Sequence, residues 1–147
     1  MMISTKGRYG LRVMIDLAEQ GKTEYIPLKE IAKRQNISQK YLEGIMTVLS
    51  KNNYIEAVHG KGGGYRLKRH PKDYVIGDIL RLMEGTLAPV SCLQCDAVPC
   101  ENATECRTLP VWEKLDEMIT TYLDSVSIAD LMKTTQSPRR NKDGRED

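Results

Sequence analysis

At 147 residues, with Phe absent and a single Trp, the chain has the length of one domain whose core must come from Leu, Ile, Val, Met and Tyr. No apolar run reaches the length of a membrane span. Lys6, Arg8 and Arg12 interrupt the N-terminal stretch that a signal peptide would need, so a cytoplasmic protein with reduced thiols is expected. The net charge of +2 conceals an asymmetry: residues 1–90 hold 15 Lys/Arg against 9 Asp/Glu, and residues 91–147 hold 7 against 11. A basic first part suits a polyanionic partner.

Ser4 or Thr5 can cap a first helix, in which Tyr9, Val13, Met14, Leu17 and Ala18 recur at helical spacing before Gly21 closes it. The link EYIP leads to a short amphipathic helix carrying Leu28, Ile31 and Ala32, ended near Asn36. Ser38 then caps a second helix with the buried stripe Leu42, Ile45, Met46, Leu49. Two short helices joined at Asn36 and Ile37 fit a helix-turn-helix.

Two alternating segments, YIEAV at 54–58 and GYRLK at 64–68, follow and are joined by HGKGGG. Glycines there supply the positive φ angles of a hairpin turn. Helix, helix and a glycine-tipped hairpin bearing His59, Lys61, Arg66, Lys68 and Arg69 give the order of a winged helix-turn-helix. The GKGGG stretch lacks the spacing of a phosphate-binding loop and precedes strand residues, not a helix. A further helix, IGDILRLMEG at 76–85, ends at Gly85.

All four cysteines, Cys92, Cys95, Cys100 and Cys106, lie in a proline-containing loop without core periodicity. An iron–sulfur or zinc site, a disulfide staple and a redox-active pair compete to explain them. Reduced surroundings disfavour the disulfide, and Cys92-Leu-Gln-Cys95 lacks the strand–helix setting of a thioredoxin-like pair. Thiolates suit iron–sulfur clusters and zinc alike, although the spacing is not the usual pair of zinc knuckles. Beyond Pro110, Trp112, Leu115, Ile119, Tyr122 and Val126 form the stripe of a long helix, widened by Val111, Met118 and Leu123. Its partner is either a second subunit or the chain's own core. Ser127-Ile-Ala-Asp130 is a capping-box start to a short last helix, and the polar end from 136 on reads as a disordered tail. With two histidines, no acid–base pair and no nucleophile elbow, an enzyme is not expected.

STKGRYGLR, SQKYLE, GGGYRL, IGDILRLMEG and a C-x5-C followed by T-x-x-x-W recur in this order over residues 2 to about 133. Together they resemble the Rrf-two family of bacterial winged-helix transcription regulators, particularly its IscR-like members. The resemblance implies a mainly α fold with a small β-wing and a long C-terminal dimerisation helix. The expected organisation is a DNA-binding part at 1–85, a cluster loop at 86–110, the dimerisation helix and short last helix at 111–133, and the tail at 134–147. All four parts belong to one compact domain.

The resemblance also implies a homodimer on a roughly palindromic operator and a cysteine-ligated 2Fe–2S cluster that senses cluster status, redox state or nitric oxide. Zinc is the lesser candidate. The alternative is a repressor of cysteine or sulfur metabolism that holds zinc or no cofactor and answers to a partner protein. Cys92-x7-Cys100-x5-Cys106 matches the family's three-cysteine spacing. Leu109 stands where IscR-like relatives place a ligating histidine, and Cys95 is the substitute.

Expected DNA contacts are Ser4, Lys6 and Arg8 at the first helix, with Thr5 beside them. On the second helix of the pair they are Ser38, Gln39, Lys40, Glu43 and Thr47, and at the wing His59, Lys61, Gly62 and Gly63. Gln39 suits adenine, Glu43 suits cytosine, and Lys40 suits guanine or phosphate. Gly44 stands where relatives often have Gln, and His59 where the usual wing residue is Arg. Trp112, Leu115, Ile119 and Tyr122 are the expected dimerisation residues.

Overall fold

The computed structural model describes residues 2–21, 24–94 and 104–132. The order is α1 (Thr5–Gln20), α2 (Leu28–Gln35), α3 (Gln39–Lys51), β1 (Ile55–Val58), β2 (Gly64–Leu67), α4 (Ile76–Glu84), α5 (Leu109–Ser125) and α6 (Ile128–Leu131). The helices start and stop where local chemistry dictates. Ser4 accepts the Gly7 N–H at the start of α1, and Ser38 accepts the Tyr41 N–H at the start of α3. Asn36, at φ 53°, ends α2 in the left-handed conformation that asparagine tolerates. α5 begins two residues earlier than the sequence stripe suggests, because Pro110 is accommodated in its first turn.

The core is one cluster. Val13, Met14 and Leu17 of α1 meet Ile31 of α2, Leu42, Ile45, Met46 and Leu49 of α3, and Ile79 of α4. Ile55 and Leu67, directly paired across the two strands, close it from the hairpin side. The hairpin is antiparallel, and Ile26, in the link before α2, bridges Tyr65 through mutual main-chain hydrogen bonds of 2.8 and 2.9 Å. The sequence reading took that link as merely extended. α6 also returns to the core: Ile128 is fully buried, and Ser127 bridges Val75 at the entry to α4.

Tyr74, 1% exposed, fastens the hairpin's base. Its hydroxyl donates to the Tyr54 carbonyl at 2.7 Å and accepts the N–H groups of Lys68 and Arg69, both at 3.1 Å. All three hydrogen-bonding positions of the buried phenol are used, as burial demands. One charged group is buried as well. Asp16 accepts both Nε and Nη2 of Arg34, at 3.0 and 2.8 Å, and Nε2 of Gln35 at 2.8 Å. Arg12 in turn donates to the side chain and carbonyl of Gln35. This polar set locks the end of α2 against α1 and so fixes the turn leading into α3.

None of the 17 residues of α5 is buried. Trp112, Ile119 and Leu123 are half-buried, whereas Val111, Leu115, Met118 and Tyr122 are exposed. The stripe expected to act as one dimerisation face is thus divided, with Leu115 and Tyr122 outward and Trp112 and Ile119 inward. The exposed row is spaced four, three, four, the seam of a coiled coil. No helix among the described residues is long and apolar enough to cross a membrane.

Candidate nucleic-acid interface

The outward face of α3 follows from its buried one. With Leu42, Ile45, Met46 and Leu49 in the core, Gln39, Lys40, Glu43, Gly44 and Thr47 are exposed, and Ser38 is exposed at the helix start. The Thr47 hydroxyl donates to the Glu43 carbonyl at 2.7 Å, which leaves its methyl outward and ties up its proton. A groove runs along each side of α3. The first lies towards α1 and is lined by Lys6, Ser38, Lys40, Tyr41, Gly44 and Ile45. The second lies towards the hairpin and brings Thr47 together with His59. Of the expected contacts, Lys6, Ser38 and Lys40 thus share the first groove, and Thr47 and His59 share the second.

The wing tip suits close approach. Gly60 and Gly62 take φ of 93° and 78°, a region closed to most side chains, and the Gly63 N–H donates to the Gly60 carbonyl at 3.0 Å. His59, Lys61 and Gly62 are exposed and Gly63 is half-buried. Of the hairpin's other basic residues, three are engaged internally. Arg66 donates to its cross-strand partner Glu56 at 2.7 Å and lies 4.3 Å over the Tyr25 ring. Arg69 stacks over Tyr74, and Lys68 donates to Asn53. The Arg66 hydrogen bond holds the Glu56 carboxyl below its ordinary range, helped by the charge of Lys68 and the Tyr25 hydroxyl.

At the start of α1, Arg8 donates to Thr5 at 3.1 Å and is exposed, and Lys6 reaches the first groove. Ser4 is differently placed: both its N–H and its hydroxyl donate to Glu84, so a phosphate arriving there meets a carboxylate. Sequence reasoning missed Tyr41, which is 42% exposed, lines the first groove and packs T-shaped against the Tyr9 ring. Its signal was an aromatic residue on α3 outside the apolar stripe.

The cysteine loop is described at its two ends. Cys92 is exposed on a 3-10 turn over Ser91–Leu93, and Cys106 is half-exposed three residues before α5. Both are free thiols. The Thr108 hydroxyl, 3.5 Å from the Cys106 sulfur, and the main-chain N–H groups of Thr108 and Leu109 push that thiol's pKa down. A readily ionised thiol suits a metal ligand, because the thiolate is the form that binds. Cys95 and Cys100, like the tail at 134–147, lie outside the described residues. Among the described residues, no group of three or more His, Cys, Asp or Glu is placed to hold a metal.

A helix-turn-helix followed by a two-stranded wing, with its polar helix face outward, defines a winged-helix protein of the DNA-binding class. Residues 3–134 match the Rrf2 family, described as an iron-dependent transcriptional regulator, and the chain belongs to that family. It is 35% identical over 133 residues to the protein rrf2 of Nitratidesulfovibrio vulgaris, covering 90% of this chain and 88% of that one. Among solved structures it is similar to CymR, the global cysteine regulator of B. subtilis. That likeness has 35% identity and a TM-score of 0.73, covering 89% of this chain and 95% of that one. It is likewise similar to T. potens IscR, with 37% identity and a TM-score of 0.67, covering 89% and 85% of the two chains. The chain is therefore a transcriptional regulator of the Rrf2 family and not an enzyme.

Proposed function

We propose that the chain binds duplex DNA as a homodimer on a roughly palindromic operator, and that its cysteine loop holds a 2Fe–2S cluster. The observation that carries the DNA reading is that α3, with its polar face outward, shares one groove with Lys6 and another with His59 of the glycine-tipped wing. Lys6, Arg8 and Lys61 meet phosphate, Gln39 and Glu43 meet base edges, and Lys40 reaches guanine or phosphate. His59, Gly62 and Gly63 approach the backbone or the minor groove. The exposed row of α5 pairs two copies, which sets two recognition helices on successive half-sites.

The cluster reading rests on the free Cys92 and Cys106 at the two ends of the loop and on Cys100 between them at the family's spacing. Leu109 cannot bind iron, and Cys95 is the candidate for the fourth ligand. When bound, such a cluster supplies a centre sensitive to redox state and nitric oxide. The loop begins beside α4 and ends at α5, so its ordering bears on how these two helices, and with them the two DNA-binding faces, are placed.

A second reading is favoured by the likeness to CymR: a regulator of cysteine or sulfur metabolism that holds zinc or no cofactor and answers to a partner protein. Anaerobic purification with iron, sulfide, zinc and visible absorption measured on one sample separates the two. Iron and acid-labile sulfide in near-equal amounts, lost in a Cys92→Ser/Cys100→Ser/Cys106→Ser variant, supports the cluster. Metal-free protein after attempted reconstitution supports the second reading.

A further inference from the structure

Nine of the ten described glycines have a local reason to be glycine: either φ is positive, as at Gly60, Gly62 and Gly85, or a Cβ would meet a neighbouring atom, as at Gly7, Gly10 and Gly77. Gly44 has neither. A Cβ there meets nothing within 4 Å, and the residue sits in the interior of α3, where glycine is the poorest choice but proline. Packing within the protomer therefore does not call for a residue that weakens the helix, which directs attention to the space outside it. That space is the groove between α1 and α3, which Gly44 lines together with the apolar Tyr41 and Ile45, the hydroxyl of Ser38 and the cations Lys6 and Lys40. Cations beside apolar side chains match one edge of a duplex: phosphates outside, and an apolar group of the major groove inside. The only apolar group that unmodified DNA displays there is the C5 methyl of thymine.

We propose that the hollow over Gly44, lined by Tyr41, seats a thymine methyl and selects for thymine at one position of each half-site. This rests on the DNA-binding reading above. A side chain at position 44 would fill the hollow, so the specificity comes from the missing side chain together with the exposed Tyr41 ring. Gln39 and Glu43 read hydrogen-bonding edges; the hollow reads shape.

The test begins with a duplex selected from a random pool by the full-length protein, purified anaerobically. Single thymines are then replaced by deoxyuridine, which deletes only the methyl, and affinities are compared by fluorescence anisotropy at fixed salt. The expected result is a loss of about fourfold at one position per half-site, the worth of one buried methyl group. Gly44→Leu, a good helix former that fills the hollow, and Tyr41→Ala, which removes the ring that lines it, should bind thymine and deoxyuridine duplexes alike. If Gly44→Leu blocks the duplex altogether, Tyr41→Ala decides. The inference is overturned if no deoxyuridine replacement weakens binding, or if Tyr41→Ala keeps the fourfold difference. Failure to select any duplex with salt-dependent binding overturns the DNA-binding reading itself, and this inference with it.

Discussion

The Glu84 carboxylate accepts two hydrogen bonds from Ser4, one from its main-chain N–H at 2.9 Å and one from its hydroxyl at 2.7 Å. The last residue of α4 thereby closes the N-terminus of α1, 80 positions away in sequence, with the negative charge that a helix start favours. Replacing Glu84→Gln keeps the shape and removes the charge. Stability should fall by about 1 kcal/mol, read by denaturant titration. Operator affinity at low salt should rise by roughly two- to fivefold, because a carboxylate no longer faces the phosphates near Ser4. An unchanged affinity would place the DNA backbone away from Ser4.

Asp16, at 3% exposure, is the buried charge of the fold, and Arg34 is about one-third exposed. The two ends of the pair should therefore respond unequally. Asp16→Ala leaves Gln35 and Arg34 without their acceptor, although Arg34 can turn to water, and should cost about 2–3 kcal/mol. Arg34→Ala leaves the buried carboxylate uncompensated in charge, with Gln35 as its remaining donor, and should cost as much or more. Thermal melts of the two variants and of the double variant give the coupling directly; strictly additive losses would show that the pair does not act as a unit.

The wing carries a pH-dependent pair. Arg66 lowers the Glu56 pKa from its ordinary value of 4.5, so the folded hairpin prefers the ionised carboxylate. A depressed carboxylate contributes stability that is present above pH 4.5 and is lost as pH falls through the lower folded value. In a ¹³C titration, Glu56 should show a midpoint below 4.5 that returns towards the ordinary value in Arg66→Gln. Equal midpoints in the two proteins would mean the pair is not held in solution.

The exposed row on α5 makes a prediction about assembly. Met118, at 58% exposure, and Leu115, at 39%, lie at the middle of the row. Leu115→Glu with Met118→Glu should convert a dimer into a monomer by sedimentation velocity while leaving helix content nearly unchanged, since neither side chain packs in the core. Trp112→Ala should act differently: this residue is half-buried within the protomer, so its loss should lower stability as well as association.

Much of the DNA-binding part was legible from local rules. Ser4 and Ser38 cap the helices they were expected to cap, Gly21 and Asn36 end theirs, and the glycines between β1 and β2 make the turn. These features are encoded within a few residues of where they act. What escaped depends on distant partners. The bridge from Ile26 to Tyr65 and the return of Ile128 to the core join stretches that share no local pattern. Periodicity could group Trp112, Leu115, Ile119 and Tyr122 on one broad stripe, but only packing against the rest of the protomer could divide it. The basic hairpin shows the same limit. Sequence counts five basic residues, and geometry shows that Arg66, Lys68 and Arg69 are spent on Glu56, Asn53 and two tyrosine rings. The wing's remaining basic side chains are then His59 and Lys61 at the tip.

The Tyr74 phenol has a consequence for solvent exchange. Lys68 and Arg69 lie past the end of β2 and have exposed side chains, yet their amides are bonded to an oxygen that is 1% accessible as part of its residue. Deuterium should enter these two amides on the slow schedule of the core, while the glycines six to eight positions earlier exchange at once. The wing then has a fast outer half and a slow root. The ladder between β1 and β2 protects the middle, and beyond its end the protection of the root rests on a single hydroxyl two residues before α4.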